Sequence, residues 1–103
     1  MDSIKGNTPS PLSLNGTWQI PDALMSHSFI MLMVGRYGRY GTNLVSVNEI
    51  RDSAYNSSDG ALAFPEGSLA GYWRIYISQT GVIKLTTMVN TSNQPNIIAY
   101  GIL

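Results

Sequence analysis

The pattern is sharpest between Tyr72 and Met88. Trp73, Ile75 and Ile77 share one parity, while Tyr72, Arg74, Tyr76 and Ser78 share the other. A half-buried strand alternates in this way. After the turn residues Gln79-Thr80-Gly81, Ile83 and Leu85 continue the apolar set and Lys84 and Thr86 the polar one. The segment therefore predicts an antiparallel hairpin with arms at 72–78 and 82–88, Gly81 in the turn and Trp73 in the core.

A second strand pair is expected at 29–36 and 42–50. Its first arm, Phe29-Ile30-Met31-Leu32-Met33-Val34, is apolar at both parities, which suits a central strand or one pressed between a sheet and another subunit. Weaker strands fit 17–20 and 61–64, and a last strand fits 97–102. That strand stays apolar through Leu103, so the domain's own sheet or a neighbouring subunit is expected to cover it. Residues 23–28 admit a short helix as a minor alternative. The polar run at 52–60 reads as a loop, and residues 1–15, with Gly6, Pro9 and Pro11, as an extended leader or linker. Six or seven short strands with short connections give an all-β class, a small antiparallel β-sandwich or jelly-roll-like barrel over 16–103.

Composition narrows the partners. The 103 residues suit one domain, and the absence of cysteine removes disulfides and thiolate metal sites. Six basic and six acidic side chains cancel, and charged residues make up only 12%, against about 25% in an average domain. Such a surface lacks the basic footprint of a nucleic-acid binder. It favours buried subunit contacts or uncharged ligands such as sugars, although a Ser/Thr/Asn-rich surface is a plainer account. No apolar run approaches the length of a membrane span, so membrane insertion is not expected. The first residues lack the basic start and apolar stretch of a secretory signal, and the sequons at Asn15, Asn56 and Asn90 read as chance matches.

Catalytic chemistry finds little support. His27 is the one histidine, between Ser26 and Ser28, and reads as structural or surface. The carboxylates Asp2, Asp22, Glu49, Asp52, Asp59 and Glu66 have no spacing diagnostic of an acid/base pair or an EF-hand. No enzyme activity, metal or cofactor is expected. The tandem Gly35-Arg36-Tyr37-Gly38-Arg39-Tyr40-Gly41 is the most distinctive local feature. It either continues a hairpin, the plainer reading, or forms a recognition loop, with Tyr rings for stacking and Arg forks for hydroxyls or carboxylates. Candidate ligand residues are Arg36, Tyr37, Arg39 and Tyr40, with Tyr55 of the polar loop beside them. Candidate oligomer contacts are Ile30, Leu32, Tyr72, Tyr76, Tyr100, Ile102 and Leu103, chosen for the doubly apolar strand, the aromatic face and the apolar terminus.

In order along the chain, 29–36, Asn43-Leu44-Val45-Ser46-Val47, Gly71-Tyr72-Trp73-Arg74-Ile75-Tyr76-Ile77 and Asn96-Ile97-Ile98-Ala99-Tyr100-Gly101-Ile102 resemble the C-terminal tip domains of bacteriophage tail fibres and tail needles. The ending Ile-Ala-Tyr-Gly-Ile carries most of this likeness. The resemblance implies a trimeric β-sandwich knob in the virion tail, made in the host cytoplasm. It implies partners among other phage tail proteins and attachment to a host-surface glycan or outer-membrane component. A virion assembly or capping protein without receptor binding is the alternative, and a small carbohydrate-processing enzyme is a third reading that lacks an acid/base pair. No coiled-coil heptad precedes the strands, and the resemblance carries over no ligand-contact residue.

Overall fold

The structure, a computed structural model, describes residues 5–66 and 70–103. Its strands are β1 (Lys5–Asn7), β2 (Thr17–Gln19), β3 (Phe29–Arg36), β4 (Arg39–Ser46), β5 (Leu62–Pro65), β6 (Tyr72–Ile77), β7 (Val82–Val89) and β8 (Asn96–Ile102). They form two four-stranded antiparallel sheets, ordered β1-β8-β3-β4 and β2-β7-β6-β5. The sheets pack face to face as a small β-sandwich, the architecture the alternating pattern predicts.

Between the sheets lie the inward parities of both. Ile30, Leu32, Val34, Val45, Ile97 and Ala99 come from the first sheet, and Phe64, Trp73, Ile75, Ile77, Ile83 and Leu85 from the second. Burying a large apolar side chain contributes about 1.5 to 3 kcal/mol, so this interdigitated layer dominates the stability. At one edge the Asn43 side-chain amide donates to the Ala63 carbonyl at 3.0 Å, tying β4 to β5 across the layer. A bulge between Arg74 and Ile75 shifts the register of β7. Thr86 Oγ1 donates to the Arg74 carbonyl there at 3.2 Å, and Met88, opposite Trp73, packs on the core.

Three expectations need correction. Strand β4 ends at Ser46, and Val47–Arg51 forms a short helix, α1, where a continued strand was expected. Ser46 caps it, its hydroxyl accepting from the Glu49 N–H at 3.4 Å, and Val47 and Ile50 at helical spacing both face the core. Second, the leader is part of the sandwich from Lys5 onward, because Lys5, Gly6 and Asn7 pair with Tyr100, Ala99 and Ile98. Thr8 is buried with its hydroxyl accepting from the Ile97 N–H at 3.1 Å, and Leu12 packs on the core. Three residues of strand with Gly6 at the centre, followed by two prolines, carry too little periodicity to be seen in sequence. The start of the predicted leader, residues 1–4, lies outside the described residues. Third, Ile30 and Leu32 are core residues with no exposed surface, so they make no subunit contact. Of the two apolar parities of β3, theirs faces the second sheet, and Phe29, Met31 and Met33 face outward.

The minor helical alternative at 23–28 corresponds to a 3-10 turn at Leu24–Ser26. His27 follows it, its Nδ1 donating to the Ala23 carbonyl at 3.1 Å. Its ring lies over Gly101, where any Cβ would come within 2.7 Å of the imidazole. Glycine near the end of β8 thus makes room for the histidine.

Candidate functional site

Strands β3 and β4 are joined by two residues, Tyr37 and Gly38, with φ of 56° and 77°. Two consecutive left-handed residues define a type I′ turn, whose twist matches that of the flanking strands. Gly38 adopts this geometry without steric cost, but Tyr37 does so against the preference of an L side chain. The turn brings Arg36 and Arg39 opposite one another as register partners. The Arg36 guanidinium stands 4.8 Å from the centre of the Tyr37 ring, and its Nη1 donates to the Gln94 carbonyl at 2.8 Å. Even so, Tyr37 remains 74% exposed.

The loop between β7 and β8 forms the opposite wall. Trp73, buried beneath it, donates its indole N–H to the Asn93 carbonyl at 2.9 Å. The Asn93 N–H in turn donates to Thr91 Oγ1 at 3.1 Å. Between these walls lies a cleft of about 340 Å³ lined by Arg36, Tyr37, Arg39, Glu66 and Asn93. Among the described residues, none forms a hydrogen bond or ion pair with the Arg39 guanidinium. Glu66 and Asn93 were not singled out by sequence reasoning. Glu66 stands just beyond β5 and Asn93 in the middle of the β7–β8 loop, both in stretches readable only as polar turns.

Of the five expected ligand residues, the structure gathers Arg36, Tyr37 and Arg39 at this cleft. Tyr40 is not part of it. It stands opposite Gly35 with the parity of Thr42 and Leu44, on the outer face of the first sheet. Tyr55 is at the other end of the sandwich, where its carbonyl accepts from the Ile77 N–H at 2.9 Å. Its hydroxyl donates to Glu49 Oε2 at 2.7 Å. Burial, then the hydrogen bond to Glu49 and its charge, push the phenol up to about 12. Tyr55 is thus a structural strut between the polar loop and α1.

The outer face of the first sheet is the second notable surface. The registers place Leu44, Met31, Tyr100 and Lys5 in one row, Thr42, Met33, Ile98 and Asn7 in the next, and Ser46, Phe29 and Ile102 in a third. Met31, Met33, Phe29, Ile98, Tyr100 and Ile102 are half-buried by one another, while Leu44 is 62% and Leu103 88% exposed. Among the described residues Lys5 is the lone charged side chain on this face, its ammonium 5.9 Å from the Tyr100 ring centre. The outer face of the second sheet differs. Arg74, Lys84, Thr17 and Gln19 are exposed there beside Tyr72 and Tyr76, with the Arg74 guanidinium 5.3 Å from the Tyr72 ring centre. The expected oligomer contacts are therefore divided. Tyr100 and Ile102 lie on the apolar face with Leu103 following them, Tyr72 and Tyr76 lie on the polar face, and Ile30 and Leu32 lie inside.

Among the described residues, no group of three or more His, Asp or Glu side chains is placed to hold a metal ion. No helix there is long and apolar enough to cross a membrane. No family model matches the chain, and neither curated proteins nor solved structures give a match.

Proposed function

We propose that this chain is a non-enzymatic recognition domain of the phage tail-fibre tip kind, which assembles as a homotrimer through the outer face of its first sheet and binds a host-surface glycan or outer-membrane component with its loops. The observation that carries this reading is that apolar face. Strand spacing and rise give it an area on the order of 400 Å², comparable to the largest apolar patch of a typical monomer, which is often functional. A second copy of the chain is its best occupant. Among the described residues the face holds one charged side chain and no array of polar groups to recognise a charged partner, and in a closed ring one edge of each apolar face packs against the next copy's. It supplies about half of one partner's share of a standard interface, so association is expected to depend on concentration and on ring closure.

The test is solution mass as a function of protomer concentration, together with attachment of the domain to host cells. Wild-type protein should form a closed oligomer. The pair Met31→Glu and Leu44→Glu, which leaves the core untouched, should give folded monomer with weakened attachment. A wild-type chain that stays monomeric throughout refutes the assembly. An intact oligomer that attaches to no cell favours the alternative of a virion assembly or capping protein.

A further inference from the structure

Two local rules are broken at one turn. Tyr37 occupies a left-handed position where Asn or Gly would sit without strain, and Arg36 and Arg39 are opposed as register partners where like charges repel. Both features border the same cleft. Unfavourable local choices of this kind concentrate at functional sites, where a ligand makes use of them. The strained residue is also a largely exposed aromatic, held aloft with little of its surface buried.

We propose that the cleft is a subsite for a single carboxylate-bearing sugar, a uronic or sialic acid unit, an assignment that rests on the glycan reading above and specifies its ligand class. The ligand carboxylate lies between the two guanidinium groups, whose two positive charges outnumber the single Glu66 carboxylate on the lining. Arg36 keeps donors beyond the one spent on Gln94, and Arg39 offers its whole fork. Tyr37 supplies a planar surface for the C–H face of a pyranose ring. Glu66 and Asn93 lie on the lining as acceptor and donor for hydroxyls, and the Glu66 carboxylate disfavours a ligand that is anionic all over. A volume of about 340 Å³ is at the small end of ligand sites, right for one sugar unit and wasteful for a bare anion. The far wall is tethered, Trp73 bonding the Asn93 carbonyl and Arg36 the Gln94 carbonyl, so the ordering cost on binding falls mainly on the exposed Tyr37 and Arg39 side chains.

The experiment is an NMR titration of the isotope-labelled full chain with methyl glucuronide, methyl galacturonide and a methyl sialoside, with methyl glucoside and inorganic phosphate as comparisons. At least one acidic sugar should shift the Arg36, Arg39 and Tyr37 resonances and bind about tenfold or more tighter than the glucoside or phosphate. Tyr37→Ala and Arg39→Gln should each weaken that binding about tenfold without changing solution mass. Three outcomes overturn the proposal: no acidic sugar moves these resonances, the glucoside binds equally well, or phosphate binds equally well and marks a plain anion site. The wild-type sugar comparison decides even if a variant misfolds. Attachment and assembly are read separately through Met31 and Leu44, so a cleft that fails while the oligomer still attaches removes this subsite and leaves the recognition domain standing.

Discussion

Replacing Tyr37 by Asn should make the domain more stable and less able to bind. A left-handed conformation costs an ordinary L residue about 1 to 2 kcal/mol, and Asn, favoured at this position of a type I′ turn, escapes most of that. The substitution also removes the Arg36 guanidinium from above the ring, a contact worth about 0.5 to 1 kcal/mol at an exposed site. Little else is lost, because the ring is 74% exposed. The net gain is about 0.5 to 1 kcal/mol, which for a domain of this size raises Tm by about 2 to 8 °C. Thermal unfolding followed by circular dichroism at fixed protomer concentration reads it, the concentration being held because association also shifts Tm. Binding of an acidic methyl glycoside should fall in the same variant. A lowered Tm would refute the reasoning, since it would mean that the ring stabilises the turn by more than the backbone strain and is there for packing.

Tyr55 should ionise late in an ultraviolet titration, above the ordinary phenol range, and Tyr55→Phe should delete that late step. Its folded value of about 12 lies above its ordinary 10.0, so the neutral phenol's contribution is fully present below pH 10 and is lost as pH rises toward 12. Stability of the wild type should accordingly decline more steeply across that window than stability of the Phe variant, and equal slopes would contradict the assignment. Deleting residues 100–103 removes ladder partners from Lys5, Phe29, Ile30 and Met31 at once. With two large half-buried side chains lost as well, the expected cost is about 3 kcal/mol or more, read as a collapse of the melting transition. Unchanged melting and unchanged mass would show that the end of β8 contributes nothing.

Legibility in the sequence followed the strength of the period. The hairpin of β6 and β7 was visible because Trp73, Ile75 and Ile77 alternate cleanly with polar residues, and Trp73 is buried as that parity requires. Strand β3 was visible as a strand, but its facing was not. With both parities apolar, sequence cannot say which set enters the core, which is why Ile30 and Leu32 read as subunit contacts although both are fully buried between the sheets. Helix α1 was missed because one capping serine and two apolar residues three apart make too short a signal beside a strand that runs into it. The cleft was half legible. Arg36, Tyr37 and Arg39 announce themselves as a repeat, but Tyr40 is one residue on, and in a strand one residue is the difference between two faces. Glu66 and Asn93 reach the cleft from β5 and from the β7–β8 loop through pairings that no local pattern encodes.

One strand ties the two surfaces together, and this restricts how copies can be arranged if both are used. Phe29, Met31 and Met33 give β3 its share of the apolar outer face, and Arg36 at the end of the same strand opens the cleft. The cleft therefore sits at one end of the apolar outer face, beyond Tyr40. A two-fold axis perpendicular to the strands would send the clefts of two copies in opposite directions, so that one flat target could engage only one of them. A closed ring whose axis runs along β3 turns every cleft toward the same side. Only the second arrangement lets weak single-sugar contacts multiply, since linked sites gain avidity only where they engage together. A homotrimer of the kind proposed above would be such a ring if its three-fold axis runs along β3, and the apolar face and the arginine turn would then act together from the two ends of a single strand.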